Sequence, residues 1–295
     1  MRGQFPELEY GYEVRTLDLG KDLFIAYRDE GAKEGEVLLF IHGLMSYIPA
    51  WDKVIPELSK IYRCIAIDLP GYGKSSGGEH PGTISFYVDA LERFIRGLNC
   101  GRLNLVGHSM GGQISISTAL RHPGLIKSLT LLAPAGFETF SFLDNLLIKK
   151  YSSVKMILEA NKEQIEQSWG GNFYRMTEDV KKMVADTFLM KTLPGFRDYA
   201  QVVYNSALGL IKDPVFNSLK NLKCPTLILF GKNDYMIPNK YIHKSLTTEE
   251  VARKGAAEIK NSRLVLLEQC GHFIQFEKPE EVIKEIVEFF LEKKR

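Results

Sequence analysis

The chain alternates two textures of hydrophobic patterning. Residues 12–29 read as two strands of a hairpin, punctuated by Gly20-Lys21-Asp22. Short apolar runs then recur: VLLFI (37–41), RCIAI (63–67), LNLV (103–106), SLTLLA (128–133), TLILF (226–230) and RLVLL (263–267). Runs this short, rich in Val, Ile and Leu and unbroken by polar residues, predict strands buried on both faces, and so a mostly parallel sheet. Between them apolar residues return at three- and four-residue spacing, as in Ile84, Val88, Leu91, Ile95 and Leu98, which predicts helices. The same period runs through Val282, Ile283, Ile286, Val287, Phe290 and Leu291, and the cations of Lys293-Lys294-Arg295 suit a helix C-terminus. Strand and helix alternate throughout, which is βαβ order and an α/β fold.

One interval departs from the alternation. From 136 to 215 there is helical texture and no convincing buried strand, a stretch longer than an ordinary crossover. It predicts an inserted helical cap, dividing the chain into a first core part (1–135), the cap or lid (136–215) and a second core part (216–295). Its apolar residues Phe140, Phe142, Leu143, Leu146, Leu147, Met156, Ile157, Phe173, Met176, Phe188, Leu189 and Met190 are candidates for a pocket wall, though residues of this kind usually just pack helices together.

Composition narrows the class. Of the 295 residues 45% are hydrophobic and 25% charged, with a net charge of +2, so neither disorder nor a strongly charged partner is indicated. No patch of Lys and Arg interleaved with aromatics is present, which removes the electrostatic footprint of nucleic-acid binding. The segment MRGQFPELEYGYEVR lacks an apolar signal-peptide core, and no stretch approaches the ~18 apolar residues of a membrane span. A cytoplasmic setting without stable membrane insertion is expected. Cys64, Cys100, Cys224 and Cys270 show neither C-x-x-C nor metal spacing, which fits a thiol-reducing compartment. Cys270 is read as a small apolar filler, and no metal or cofactor is called for.

Candidate chemistry begins at Gly107-His108-Ser109-Met110-Gly111, between the run LNLV and the helical pattern GQISISTALR. So tight a strand-to-helix reversal strains the serine backbone and leaves Oγ exposed, while small flanking residues let neighbouring backbone pass. A hydroxyl nucleophile needs a base, itself oriented by a third group. Of the 6 histidines, His108 points away from its neighbour on the turn, His42 belongs to an earlier loop, and His80 and His122 follow helix or loop texture. His243 and His272 remain, and His272 is preferred because it follows the strand RLVLL, where open α/β sheets carry their sites. Asp234, four residues beyond TLILF, is the preferred acid, and Glu138, beyond SLTLLA on a longer loop, competes with it.

The order Ser109, Asp234, His272, the elbow GHSMGG, the early His42-Gly43, the segment DLPGYGKS and the late CGHFIQFEKPE together resemble the α/β-hydrolase family over nearly the whole chain outside the cap. The resemblance implies an eight-stranded, mostly parallel sheet with helices on both faces. It also implies an oxyanion hole made by the backbone N–H groups of Leu44 and Met110, with His42 bracing its loop. Asp68, Gly71, Gly73 and Ser75 are then a family turn; their spacing matches neither phosphate-binding loop nor dinucleotide fingerprint.

A serine nucleophile excludes the branches that use aspartate on epoxides or halides. The first expectation is hydrolysis of a small to medium, largely apolar carboxylic ester, a small-molecule substrate, through an acyl-enzyme on Ser109. The second is cleavage of a carbon–carbon bond in a vinylogous diketone acid, although Leu44-Met45-Ser46-Tyr47-Ile48 replaces the glycine- and proline-containing stretch common there. A ligand-binding receptor with little turnover is the third. Arg175 and Arg197 are the candidates for holding a substrate carboxylate, against the reading that both are solvated surface residues.

Overall fold

The computed structural model describes residues 3–292; the basic run Lys293–Arg295 lies outside them. Eight strands form one sheet in the order β1-β2-β4-β3-β5-β6-β7-β8. They are β1 (Arg15–Gly20), β2 (Leu23–Glu30), β3 (Val37–Ile41), β4 (Arg63–Ile67), β5 (Leu103–His108), β6 (Ile126–Leu132), β7 (Thr226–Gly231) and β8 (Ser262–Leu267). β2 runs antiparallel to β1 and β4, and the six strands from β4 to β8 are mutually parallel. Lys21 and Asp22 both take positive φ (54° and 58°), the geometry of a tight hairpin turn matched to strand twist.

Strands β3, β5 and β7 are buried along their whole length, as uninterrupted apolar runs require. β8 differs: each of its residues is only half-buried, because it is the sheet's edge and has a partner on one side alone. The helices are α1 (Ile55–Leu58), α2 (Ile84–Leu98), α3 (Met110–Arg121), α4 (Phe142–Tyr151), α5 (Val154–Glu159), α6 (Lys162–Gly170), α7 (Val180–Thr192), α8 (Phe196–Lys212), α9 (Thr248–Ala257), α10 (Ile274–Glu277) and α11 (Pro279–Glu292). Local chemistry sets their ends. Thr83 caps α2 by accepting from the Phe86 N–H (3.2 Å), and Asn99 closes it in the left-handed conformation.

Between β6 and β7 lie α4 to α8 and a short 3₁₀ turn, with no strand among the described residues. This helical layer is tied to the sheet side by buried polar contacts: Tyr47 donates to Asp186 of α7 at 2.5 Å, and Tyr87 of α2 meets Ser206 of α8 at 2.9 Å. No described helix is long and apolar enough to cross a membrane.

Candidate active site

The carboxyl ends of the parallel strands deliver the candidate residues to one place, as sheets of this kind do. Leu44 follows β3, Ser109 follows β5, Glu138 follows β6, Asp234 follows β7 and His272 follows β8. Ser109 has φ 53° and ψ −117°, a conformation that costs energy for a residue with a side chain. Its backbone is held there: the N–H donates to Leu132 (3.0 Å), and the carbonyl accepts from Gly112 (2.9 Å) and Ala135 (3.0 Å). Glycines at 107 and 111 are required by close approach, because a Cβ on Gly107 would strike the Gly111 carbonyl and one on Gly111 the Ile41 carbonyl. Met110 opens α3, so its N–H has no intrahelical acceptor, and that donor sits directly after the serine.

Asp234 and His272 are paired. His272 Nδ1 lies 2.7 Å from Asp234 Oδ2, and both side chains are buried. The carboxylate only accepts, which assigns the proton to Nδ1 and leaves Nε2 with a free lone pair. The other Asp234 oxygen accepts from the N–H groups of Met236 (2.7 Å) and Ile237 (3.0 Å), so the acid has no rotational freedom left. The histidine is fixed from above as well: the carbonyl of Asn172, in the loop after α6, accepts from the backbone N–H of His272 (2.8 Å) and of Phe273 (3.0 Å). Gly271 makes that contact possible, since a Cβ there would come within 2.8 Å of the Asn172 oxygen.

The runners-up, Glu138 and His243, are brought to each other rather than to Asp234 and His272. His243 Nδ1 stands 2.5 Å from Glu138 Oε1, which also accepts from the Asn239 N–H at 2.8 Å. His42 is wholly buried; Leu69 N–H donates to its Nε2 (3.0 Å) and its Nδ1 donates to the Gly43 carbonyl (2.7 Å), so it ties two loops together. Burial depresses its pKa to about 4 and keeps it neutral. His108 donates through Nε2 to the His272 carbonyl (3.0 Å), and burial, then the neighbouring His272, holds its pKa well below the ordinary imidazole value.

Asp68 is the hub of its turn, accepting from Tyr10 (2.8 Å), Ile48 N–H (2.7 Å) and Lys74 N–H (2.8 Å). Cys270 is fully buried and burial pushes its thiol far above the usual range, so it is inert packing.

Ser109 and His272 line one cavity of about 440 Å³ together with Leu44, Met45, Gln113, Glu138, Phe140, Ile148, Trp169, Asn172, Leu210, Met236 and Ile237. Of the twelve apolar residues of segment 136–215 named above, only Phe140 lines it. Phe142, Leu143, Leu146, Leu147, Met156, Met176 and Leu189 face solvent, while Phe173 and Met190 are buried in packing. The wall contributed by this segment comes instead from Ile148, Trp169, Leu210 and Ile211, on the faces of α4, α6 and α8 turned inward. Arg175 and Arg197 are exposed and lie outside the cavity lining, as solvated surface residues do. Gln113 went unnoticed in the sequence, although it sits four residues after Ser109, one helical turn along the same face. The Asn172 carbonyl had no sequence signal at all, because any residue type supplies a carbonyl.

A serine on a strand-to-helix elbow, with an acid–histidine pair at the ends of neighbouring parallel strands, is the architecture of the α/β hydrolases. The chain belongs to that family: residues 36–279 match its α/β-hydrolase fold model. Among curated proteins it is similar to the (E)-2-((N-methylformamido)methylene)succinate hydrolase of Acinetobacter baylyi, 27% identical over 273 residues, spanning 91% of this chain and 94% of that one. It is also similar to the 2-hydroxy-6-oxo-2,4-heptadienoate hydrolase of Pseudomonas putida, 27% identical over 287 residues, 94% of this chain and 96% of that one. A solved structure of a probable hydrolytic enzyme from Pseudomonas aeruginosa superposes with a TM-score of 0.87 at 24% identity, covering 98% and 97% of the two chains, which shows the shared fold.

Proposed function

We propose that this hydrolase is a serine esterase that cleaves a small to medium, largely apolar carboxylic ester through an acyl-enzyme on Ser109. The observation that carries the reading is the buried His272–Asp234 pair at 2.7 Å, on the wall of the same cavity that Ser109 lines. In this reading Ser109 Oγ attacks the ester carbonyl as His272 Nε2 takes the hydroxyl proton. The oxyanion is received by the N–H groups of Leu44 and Met110, each donor of this kind being worth ~10²- to 10³-fold in rate. Collapse breaks the C–O bond, and His272 returns its proton to the departing alcohol. Water, deprotonated by the same nitrogen, then attacks the acyl-enzyme, and the acid leaves with Ser109 restored. Asp234 holds the Nδ1–H tautomer and stabilises the imidazolium. Residues 136–215 act as the cap, roofing the cavity over the two core parts 1–135 and 216–295.

A second reading, hydrolysis of a carbon–carbon bond in a diketone acid, is favoured by the likeness to the 2-hydroxy-6-oxo-2,4-heptadienoate hydrolase. The experiment that tests the first is labelling by a fluorophosphonate beside kcat/KM on a series of p-nitrophenyl esters and on a vinylogous diketone acid. Rapid labelling of Ser109 with ester turnover is expected; turnover of the diketone acid alone overturns the ester assignment.

A further inference from the structure

The cavity wall is one-sided in its chemistry. No Lys or Arg is among its lining residues, and the one carboxylate in the lining, Glu138, is held at the wall by a side chain only 6% exposed. Its Oε1 is fully engaged by His243 Nδ1 (2.5 Å) and the Asn239 N–H (2.8 Å), whereas Oε2 has no hydrogen-bond partner among the described residues.

A second acceptor stands in the same wall. The amide nitrogen of Gln113 donates to the carbonyls of Leu210 (3.1 Å) and Asp213 (2.8 Å), which fixes the amide's orientation, and its Oε1 is buried with no partner. Buried acceptors without donors are rare and costly. Here the Gln113 oxygen is sealed into the wall, whereas Glu138 Oε2 is the unpartnered acceptor not shut away from solvent, in a lining without Lys or Arg.

We infer that Glu138 forms a subsite for a hydrogen-bond donor, a hydroxyl or ammonium group borne by the ester, and that the pocket rejects carboxylate-bearing substrates. The inference rests on the esterase reading and narrows its substrate class. A donor entering the subsite supplies the partner that Glu138 Oε2 lacks. A carboxylate placed there meets a like charge at close quarters and finds no guanidinium or ammonium to pair with. Burial raises the Glu138 carboxyl, while the His243 and Asn239 donors pull it back, so the group is a strong acceptor poised for a donor ligand.

The test is a pH-stat comparison of methyl pentanoate, methyl 4-hydroxybutanoate and monomethyl succinate, with a matching set that carries the substituent on the alcohol side. Wild type is expected to hydrolyse the hydroxylated ester of one set at least as well as the plain one, and the anionic ester about a hundredfold more slowly. Glu138→Gln, which adds donors and removes the charge, should narrow the plain-to-anionic ratio by about tenfold. Glu138→Asp should keep the ratio wide. Equal rates on plain and anionic esters in wild type, or a ratio indifferent to Glu138→Gln in a variant that melts normally, overturn the subsite.

Failure of the esterase reading looks different: no fluorophosphonate labelling and no ester turned over. In that event Tm shifts given by pentanamide, 4-hydroxybutanamide and succinamate read the same preference. A largest shift with the hydroxyamide supports the subsite, and a largest shift with succinamate refutes it.

Discussion

Two carboxylate–imidazole pairs stand at the carboxyl ends of the sheet, Asp234 with His272 and Glu138 with His243, at 2.7 and 2.5 Å. By pair distance alone they are indistinguishable. What separates them is everything around the pair. Asp234 has its second oxygen saturated by two backbone donors, and His272 is clamped through its own N–H by the Asn172 carbonyl, beside the elbow that carries Ser109. Glu138 leaves one oxygen unpartnered, and His243 is 23% exposed, stacked on Phe140 and outside the cavity lining. A fixed and satisfied pair suits proton transfer, where misplacement is costly; a half-satisfied pair suits recognition, where a ligand supplies the missing partner.

Removing each histidine in turn should give the largest difference between the two pairs. Ser109→Ala and His272→Ala should each cost about 10⁴-fold or more in kcat on a p-nitrophenyl ester, because in the proposed mechanism nucleophile and base act as a unit. His243→Ala should cost no more than about tenfold, an effect carried through Glu138 rather than through the chemistry. Steady-state kinetics with circular dichroism of each variant decides it, and an inactive but folded His243→Ala beside an active His272→Ala would exchange the roles of the pairs.

The acids give the next largest contrast. Asp234→Asn leaves the fold intact but favours the wrong imidazole tautomer, and a loss of about 10⁴-fold in kcat is expected. Glu138→Gln should act mainly on the choice among substrates. Near-wild-type turnover by Asp234→Asn would mean that the acid is supplied from β6 after all.

How far the sequence carried this contrast depends on which atoms make it. The strands were legible because burial on both faces leaves continuous apolar runs: VLLFI and RCIAI coincide with β3 and β4. Ser109, Asp234 and His272 stood out because each terminates such a run. The pocket wall was not legible, since Phe142 and Ile148 lie on one helix and differ only in facing, which a helix with little amphipathic contrast does not reveal. The pairing of Glu138 with His243 spans 105 residues and follows from the loops' paths rather than from any motif.

Falling pH separates the buried histidines from a buried acid. His42 and His108 are buried neutral, with folded pKa values below the ordinary 6.5, so the unfolded chain takes up protons first and their stabilisation, present above 6.5, is lost as pH falls below it, for His42 down to about 4. Asp68, raised to about 6 by burial, works in the opposite sense, its protonation favouring the fold as pH drops through 6 toward 3.8. The clean readout is therefore a difference. In urea titrations the stability gap between wild type and His42→Gln should shrink by about 2–3 kcal/mol from pH 7 to pH 4.5. A constant gap would mean that His42 accepts a proton within the fold.

The smallest effects belong to the proposed cap. If residues 136–215 set substrate length while the floor sets chemistry, each methylene buried in the cavity adds about 0.8 kcal/mol, roughly fourfold in kcat/KM, until the acyl chain meets the wall. Ile148 of α4 and Leu210 of α8 are that wall, so Ile148→Ala and Leu210→Ala should move the cutoff to longer chains with little change in kcat on an acetate ester. Phe142→Ala is the matched control, six residues before Ile148 on the same helix but 76% exposed, and it should leave the cutoff where it is. The measurement is kcat/KM across p-nitrophenyl esters of graded length for the three variants and wild type. Should Phe142→Ala shift the cutoff while Ile148→Ala and Leu210→Ala do not, the outer face of α4 would be the one that meets substrate, and the inward-facing wall would be packing alone.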